Sequence, residues 1–333
     1  MTEDTTVPEI STSFAALASC FRGDFSPNID WLVVLATANE HLVAPQLYAS
    51  VRELAKQREV DRELLSYLAE LTDANGDRNH RLYLQLDEVV AALNAKGIIP
   101  VLLKGAVPLV NASQPSDCLR ILRDLDIMVR REELGATRET LSELGYQVFS
   151  DSHYAHSPGS YYRDDCVGAI DLHTELPGQT WAKITDPASP ERLRKVSIDK
   201  GCAITPDPSF FFVINLFHDQ IHDRGDLKGV THIRYLLELR DLVLHQSNLL
   251  DWPWIFSQCQ SFRARLALEQ QLRMMHHYLA VPYPAGYKGS ALGWILLQRR
   301  VLKEKSGFFE RLDASAINTF LAVRRVLRSL TEA

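Results

Sequence analysis

Two aspartates at alternate positions, Asp124 and Asp126, lie within the apolar run of residues 123–129. The run alternates and is rich in aliphatic residues, so it predicts a β-strand. Residues i and i+2 of a strand project from the same face, which places the two carboxylates side by side. Like charges in that position repel, and burying them without a partner is unfavourable. A hard cation such as Mg²⁺ relieves the repulsion, because it prefers carboxylate oxygens together with substrate phosphates.

A third carboxylate lies in residues 168–176, which also alternate and put Asp171, His173 and Glu175 on one face. If this segment pairs beside the first strand, the three aspartates would hold one or two Mg²⁺ ions, or Mn²⁺, and would suit in-line displacement at a nucleotide phosphorus. His173 would orient a carboxylate or contact the substrate, with a structural role as the alternative. Taken singly, an Asp-x-Asp pair is also typical of a solvated edge strand or turn. Asp171 taken singly would be typical of the solvent-exposed face of a strand.

A basic corner precedes the acidic strand. Residues 98–103 predict a buried strand, after which Lys104 and Gly105 lead into a short helix. Glycine lets the backbone approach a phosphate, a helix N-terminus offers free N–H groups, and Lys104 adds positive charge. Arg120 and Arg123 are suited to bidentate phosphate binding, or alternatively to a salt bridge that holds the acidic strand. These four residues, together with His173, are therefore the predicted nucleotide-binding set, although Lys-Gly alone is more often a plain turn.

His218 and His222 are four residues apart and share a helix face. Two such histidines can bind zinc, but the His-Glu-x-x-His motif is absent. The aspartates already supply oxygen ligands, so the sequence favours an interface or local hydrogen-bonding role over direct metal ligation. Contact of one histidine with the nucleotide stays open.

The elements that must position these residues predict an α+β fold with a small mixed-sheet core and helical flanks. Helical periodicity dominates both ends of the chain, including a long pattern over residues 61–93 that leaves room for a break near Asn75 and Gly76. Proline and polar residues predict irregular structure over 177–206. The predicted regions are 1–95, N-terminal helical; 96–206, the mixed-sheet core; and 207–333, C-terminal helical, with later helices near 228–247, 251–280, 290–305 and 314–330.

The composition is that of an ordinary globular protein, since the 333 residues are 46% hydrophobic and 23% charged. A net charge of −6 disfavours general nucleic-acid binding, which requires an excess of Lys and Arg. Five scattered cysteines without a Cys-x-x-Cys pair predict reduced thiols in a cytoplasmic protein. The sequence shows no signal peptide and no apolar run of membrane-spanning length, so no membrane partner is expected.

In combination, these motifs resemble the uncharacterised nucleotidyltransferase family of the polymerase-β-like nucleotidyltransferase superfamily. Many members of that superfamily have Gly-Ser or Gly-Gly at the corner, where this chain has Gly105-Ala106 preceded by Lys104. The resemblance covers residues 85–280, and the segments that carry it are 102–105, 120–127, 170–173, 217–222 and 239–242. It implies a minimal nucleotidyltransferase core with added helices.

The resemblance implies transfer of a nucleoside monophosphate from an NTP such as ATP to an unknown hydroxyl-bearing acceptor, with release of pyrophosphate. Asp124 and Asp126 would hold Mg²⁺ against the triphosphate, and Asp171 would complete a second metal position and help to deprotonate the acceptor. The acidic balance favours a small molecule or a protein over RNA as acceptor. The alternatives are a nucleotide-binding regulatory or toxin/antitoxin-type module with little turnover, and a helical scaffold whose acids bind a structural cation.

Overall fold

A seven-stranded mixed sheet forms the centre of the protein. The structure is a computed structural model that describes residues 13–154, 157–176, 190–306 and 308–318. The strand order across the sheet is β3-β4-β5-β2-β1-β7-β6. The strands are β1 (Val101–Leu102), β2 (Asp124–Met128), β3 (Gln147–Tyr154), β4 (Ser157–Tyr162), β5 (Ala169–His173), β6 (Leu193–Ser197) and β7 (Cys202–Pro206).

The two acidic strands are neighbours in the middle of this sheet. β2 pairs with β5 in parallel, and Asp126 stands opposite Asp171 in the register. β1 pairs antiparallel with β2 and parallel with β7, while β4 pairs antiparallel with β5. Leu125, Ile127 and Ile170 point into the core and are fully buried, so the apolar alternation fixes which face carries the acids.

Along the chain, helices precede and follow the strands of the sheet, which confirms the predicted α+β fold. Residues 308–318 are also helical. The helices are α1 (Ser13–Arg22), α2 (Trp31–Glu40), α3 (Ala44–Ala55), α4 (Arg62–Ala95), α5 (Ala106–Asn111), α6 (Leu134–Glu143), α7 (Pro208–Phe217), α8 (Gly225–Lys228), α9 (Ile233–His245), α10 (Trp252–Gln258), α11 (Phe262–Leu279) and α12 (Ala291–Lys305).

The helix α4 is continuous over 34 residues. It begins after the N-cap Asp61, whose carboxylate accepts a hydrogen bond from the Glu63 N–H at 2.8 Å. It passes through Gly76 without the break for which the sequence left room. A β-carbon at Gly76 would lie 3.1 Å from Ser116 O, so the glycine permits close packing of the 115–117 turn against the helix.

The first and last helical parts of the chain pack against each other. The rings of Phe14 in α1 and Tyr278 in α11 meet edge-on with centroids 5.0 Å apart. Arg22 also donates a hydrogen bond to the Tyr278 carbonyl at 2.8 Å. These contacts join the two predicted helical regions. The division of the chain into regions at residues 95 and 206 stays a prediction.

The prediction of irregular structure over 177–206 is wrong for the part that the structure describes. Residues 193–206 form the antiparallel pair β6–β7, joined by a turn in which Ile198 N–H donates to Gly201 O at 3.0 Å. β6 is an edge strand, where exposed Arg194 and Lys195 are tolerated and discourage further pairing. Residues 177–189 lie outside the described part of the chain.

Other element boundaries differ from expectation for local reasons. Of the strand predicted over 98–103, only Val101–Leu102 forms ladder pairs. The helix predicted over 251–280 is two helices, because Ser261 caps α11 by accepting from the Ala264 N–H at 3.1 Å. Of the helix predicted over 314–330, residues 319–330 lie outside the described part. No helix among the described residues is both long and apolar enough to cross a membrane.

Arg300 of α12 is a charged residue with only 1% exposure. Its guanidinium donates to Gln220 Oε1 at 3.0 Å, Gln270 Oε1 at 2.8 Å and Gly225 O at 2.9 Å. Burial lowers the pKa of Arg300 to about 10, against the opposing effect of Asp219. This side chain therefore joins α11 and α12 to the segment that follows α7.

Replacing Arg300 by methionine is expected to lower the free energy of unfolding by about 3–5 kcal/mol, because buried acceptors such as Gln220 and Gly225 lose their donor. Chemical denaturation measures the change, with Arg265→Met, an exposed cation of α11, as the matched control. A loss no larger than that of the control would mean that the acceptors find other donors.

Candidate active site

The predicted carboxylates come together where β2 and β5 run side by side. Asp124 and Asp126 occupy alternate positions of β2, and Asp126 is paired with Asp171 across the parallel ladder. Asp126, Asp171 and His173 each offer one donor atom, and these atoms all lie within 4.8 Å of one another. Asp124 lies on the same strand face as Asp126 but is not a member of that closest group. The arrangement resembles a cation site with oxygen and nitrogen donors.

Asp126 is the most deeply buried of the three aspartates, with 2% exposure. Its Oδ1 accepts hydrogen bonds from Lys104 Nζ at 2.7 Å and from His173 Nε2 at 2.9 Å. Burial alone would raise the pKa of Asp126, but the Lys104 charge and the His173 hydrogen bond outweigh it and hold that pKa well below its usual range. The pKa of Lys104, which burial would lower, is likewise raised by Asp126. Asp126 is therefore a fixed anion within an ion pair.

Asp124 has the opposite electrostatic setting. Burial and the neighbouring charges of Asp126 and Asp171 raise its pKa, and Lys104 and Arg120 only partly oppose them. Burial and two neighbouring carboxylates therefore both disfavour the charged form of Asp124, and an added cation would relieve this. Asp171 is half-buried and accepts a hydrogen bond from the Ser160 hydroxyl of β4, which fixes its carboxylate.

The corner after β1 differs in detail from its sequence-based interpretation. Lys104 has a left-handed backbone with φ of 44°, whereas Gly105 is helical with φ of −66°. A β-carbon at Gly105 would collide with Leu122 and lie 3.0 Å from Arg120 Nε. Gly105 therefore makes room for protein side chains, and phosphate contact at this residue stays a prediction.

The two arginines have separate surroundings. Arg120 is 8% exposed and forms an ion pair with Glu238 of α9, which ties the acidic strand to the C-terminal helices. Burial, reinforced by the charge of Arg234, lowers the pKa of Arg120 to about 10. Arg123, one residue before β2, is exposed to solvent. Phosphate binding by either residue stays a prediction, and Arg123 has the more accessible guanidinium.

Sequence reasoning missed residues that stand beside His218. Tyr235 Oη lies 2.9 Å from His218 Nδ1, and Asp223 Oδ2 lies 3.4 Å from the same atom. Burial, and then the charge of Lys104, hold the pKa of His218 well below its usual range. Asp126 also affects this pKa, so the C-terminal helical part reaches the acidic site. The adjacent His222-Asp223 pair was a signal for Asp223 in the sequence, but nothing local pointed to Tyr235.

A cavity of about 560 Å³ lies beside the Arg120–Glu238 ion pair. Its lining combines the charged side chains Arg194 and Asp241 with the apolar Phe211, among others. None of the three aspartates lines it. Of the predicted site residues, Arg120 lines the cavity.

Paired aspartates on neighbouring parallel strands of a mixed sheet fit the class of enzymes that transfer nucleotidyl groups, and this chain is a nucleotidyltransferase. It belongs to the uncharacterised nucleotidyltransferase family, whose model matches residues 27–280. The match confirms the resemblance drawn from the sequence motifs.

Two solved structures are similar to the chain at low identity. One is the solution structure of the antibiotic-resistance factor ANT(2'')-Ia, with 14% identity, a TM-score of 0.40, and coverage of 60% of this chain and 99% of that one. The other is the crystal structure of an antigenic nucleotidyltransferase-like protein from Paracoccidioides brasiliensis, with 14% identity, a TM-score of 0.39, and coverage of 63% and 95%. Among curated proteins, none matches this chain.

Proposed function

We propose that this protein is a Mg²⁺-dependent enzyme that transfers a nucleoside monophosphate from an NTP, such as ATP, to a hydroxyl-bearing acceptor and releases pyrophosphate. The observation that supports it most is the register of Asp126 opposite Asp171, with Asp124 two residues earlier on the same strand face. Family membership supports nucleotidyl transfer in general. We further propose a cytoplasmic enzyme whose acceptor is a small molecule or a protein.

The residues present fit a hard divalent cation. Asp124, Asp126 and Asp171 supply carboxylate oxygens, and the raised pKa of Asp124 reflects burial and the negative charge of the other two. These three side chains would hold Mg²⁺, with Mn²⁺ as the other candidate. When bound, the ion would neutralise phosphate charge and polarise the phosphorus centre.

The residues of the chain would have separate roles in the transfer. Asp171, oriented by Ser160, would accept the proton of the acceptor hydroxyl as the new oxygen–phosphorus bond forms and the bond to pyrophosphate breaks. His173 holds the carboxylate of Asp126 in place. Lys104 would place its ammonium group against the distal phosphates, and Arg123 would add a second cation.

A thermal-stability assay with Mg²⁺ and each NTP, alone and together, tests the proposal first. We expect synergy, because linked ligands that bind only the folded state raise its stability together. A structural cation site would respond to metal alone. Incubation with each labelled NTP and a cell extract then looks for a labelled product. Synergy without any labelled product would favour the binding module with little turnover.

Replacing Lys104 by alanine is expected to weaken NTP binding more than NMP binding, because under this proposal the lost charge would lie against the distal phosphates. Calorimetric affinities for an NTP and its NMP give the ratio in the wild type and the variant. Lys288→Ala, which removes an exposed lysine, is the matched control. An unchanged ratio in Lys104→Ala would place the triphosphate elsewhere, with Arg123 as the next candidate.

A further inference from the structure

The helix α7 does not end in an ordinary α-helical turn. It continues as a π-helical turn over His218–His222, closed by a hydrogen bond of 2.9 Å from the Asp223 N–H to the His218 carbonyl. With i→i+5 bonding, a turn holds more residues than an α-helical turn, so residues i+4 and i+5 both lie near the face of residue i. In an α-helix, residue i+5 would lie about 140° away. The π-turn therefore brings Asp223, as well as His222, beside His218.

The three side chains form a compact donor group. His218, His222 and Asp223 each offer one ligand atom, and these atoms all lie within 4.8 Å of one another. The two imidazole rings have centroids 5.2 Å apart. The Tyr235 hydroxyl, 2.9 Å from His218 Nδ1, holds the orientation of that ring. His222 is exposed, which gives an ion access from solvent.

Contacts of neighbouring residues fix the backbone that carries this donor group. The buried Asp219 carboxylate lies 2.6 Å from His232 Nδ1, and Gln220 donates to Gln271 Oε1 at 2.9 Å. A β-carbon at Gly225 would lie 2.8 Å from Asp219 O, so the following loop packs directly on the turn. The donor group therefore stands on a rigid support, which a metal site requires for its geometry.

We propose that His218, His222 and Asp223 form a binding site for a divalent transition-metal ion of the Zn²⁺ class. Two imidazoles and one carboxylate suit such an ion, whereas Mg²⁺ prefers oxygen ligands throughout. Three protein ligands leave a position open for water or another exchangeable oxygen ligand. The sequence favoured a structural role for the histidines, and the nearby Asp223 carboxylate changes that interpretation.

The charges near the site are compatible with a cation. Lys104 lies within electrostatic reach of His218 and Asp223, but it is paired with Asp126 and adds no uncompensated positive charge. The site shares no residue with the group of Asp126, Asp171 and His173, although Asp126 and His173 act electrostatically on His218, and the proposal does not depend on nucleotidyl transfer. Its test requires no substrate.

The test is a titration of the chelator-treated, full-length protein with Co²⁺, followed by displacement with Zn²⁺. We expect a visible Co²⁺ absorption band that reports nitrogen-containing coordination. The variants His222→Ala and Asp223→Asn should each weaken Zn²⁺ binding by at least roughly 10–100-fold, which is the loss that follows removal of an outer partner. The loss in Asp223→Asn should be similar to or smaller than the loss in His222→Ala. His245→Ala, which removes an exposed histidine of α9, is the matched control and should bind as the wild type.

Two further results decide the assignment. Asp171→Ala should keep the band, because the other donor group is not its source, and loss of the band in that variant would overturn the proposal. Wild-type Zn²⁺ affinity in His222→Ala would also overturn the proposal. Wild-type affinity in Asp223→Asn would overturn it as well, because the site would then be only an adventitious histidine pair. Thermal melting of each variant without metal verifies that the fold is intact.

Discussion

Replacing Asp124 by asparagine is expected to reduce nucleotidyl transfer by at least about 10³-fold while making the fold more stable at neutral pH. The loss follows because the variant removes a carboxylate proposed to stabilise the transferring phosphate through a bound cation. The gain follows because burial, Asp126 and Asp171 raise the pKa of Asp124, so folding disfavours its charge. Turnover with labelled NTP and chemical denaturation at pH 7 measure the two effects.

A contrasting variant and a control make this result specific. Asp126→Asn should also abolish transfer, but it should lower the free energy of unfolding by about 3–5 kcal/mol, because it breaks the buried pair with Lys104. Asp164→Asn, at an exposed aspartate, should change neither quantity. Full activity in the double variant Asp124→Asn/Asp126→Asn, or unchanged Mg²⁺–NTP binding by calorimetry, would refute the assignment of both residues.

Replacing Asp171 by alanine is expected to lower turnover by about 10²–10⁴-fold with little change in nucleotide affinity. This range is typical of a lost general base, and a role confined to the reacting state affects turnover more than ground-state binding. Single-turnover kinetics at saturating NTP and calorimetric NTP binding separate the two quantities.

Ser160→Ala serves as the companion of Asp171→Ala. It keeps the carboxylate and removes only the hydroxyl that orients it, so the fall in turnover should be smaller. Asp171→Ala could show the opposite pattern, a large loss of NTP affinity with unchanged turnover at saturation. That result would mean that Asp171 contributes to ground-state binding of the NTP and not to the reacting state.

The acidic strands could be predicted because their information is local. Alternation around Asp124 and Asp126 defines the strand and its buried face, and the same holds around Asp171. Pairing of the two strands needs one further step, the inference that their acids share a cation, and the parallel direction seen in the structure is not contained in that pattern. The edge strand β6 lacked such a signal, since charged residues on an edge resemble those of a loop.

The remaining parts of the site depend on contacts between distant residues. Arg120 meets Glu238 across 118 positions, and Tyr235 reaches His218 only because α9 folds back on α7. The π-turn is a different case, since one added residue per turn leaves the apolar pattern of α7 unchanged. A periodicity of 3.6 cannot reveal it, although it decides where Asp223 points.

The left-handed backbone of Lys104 has a consequence for engineering this protein. A lysine with φ of 44° holds a conformation that costs a residue with a β-carbon about 1–2 kcal/mol and that glycine adopts freely. Glycine at this position would relieve that strain, but it would also remove the ammonium group that binds Asp126. Because breaking that buried pair costs about 3–5 kcal/mol, selection for heat resistance would keep the lysine despite its backbone strain, so durability and the proposed chemistry favour the same residue at this corner.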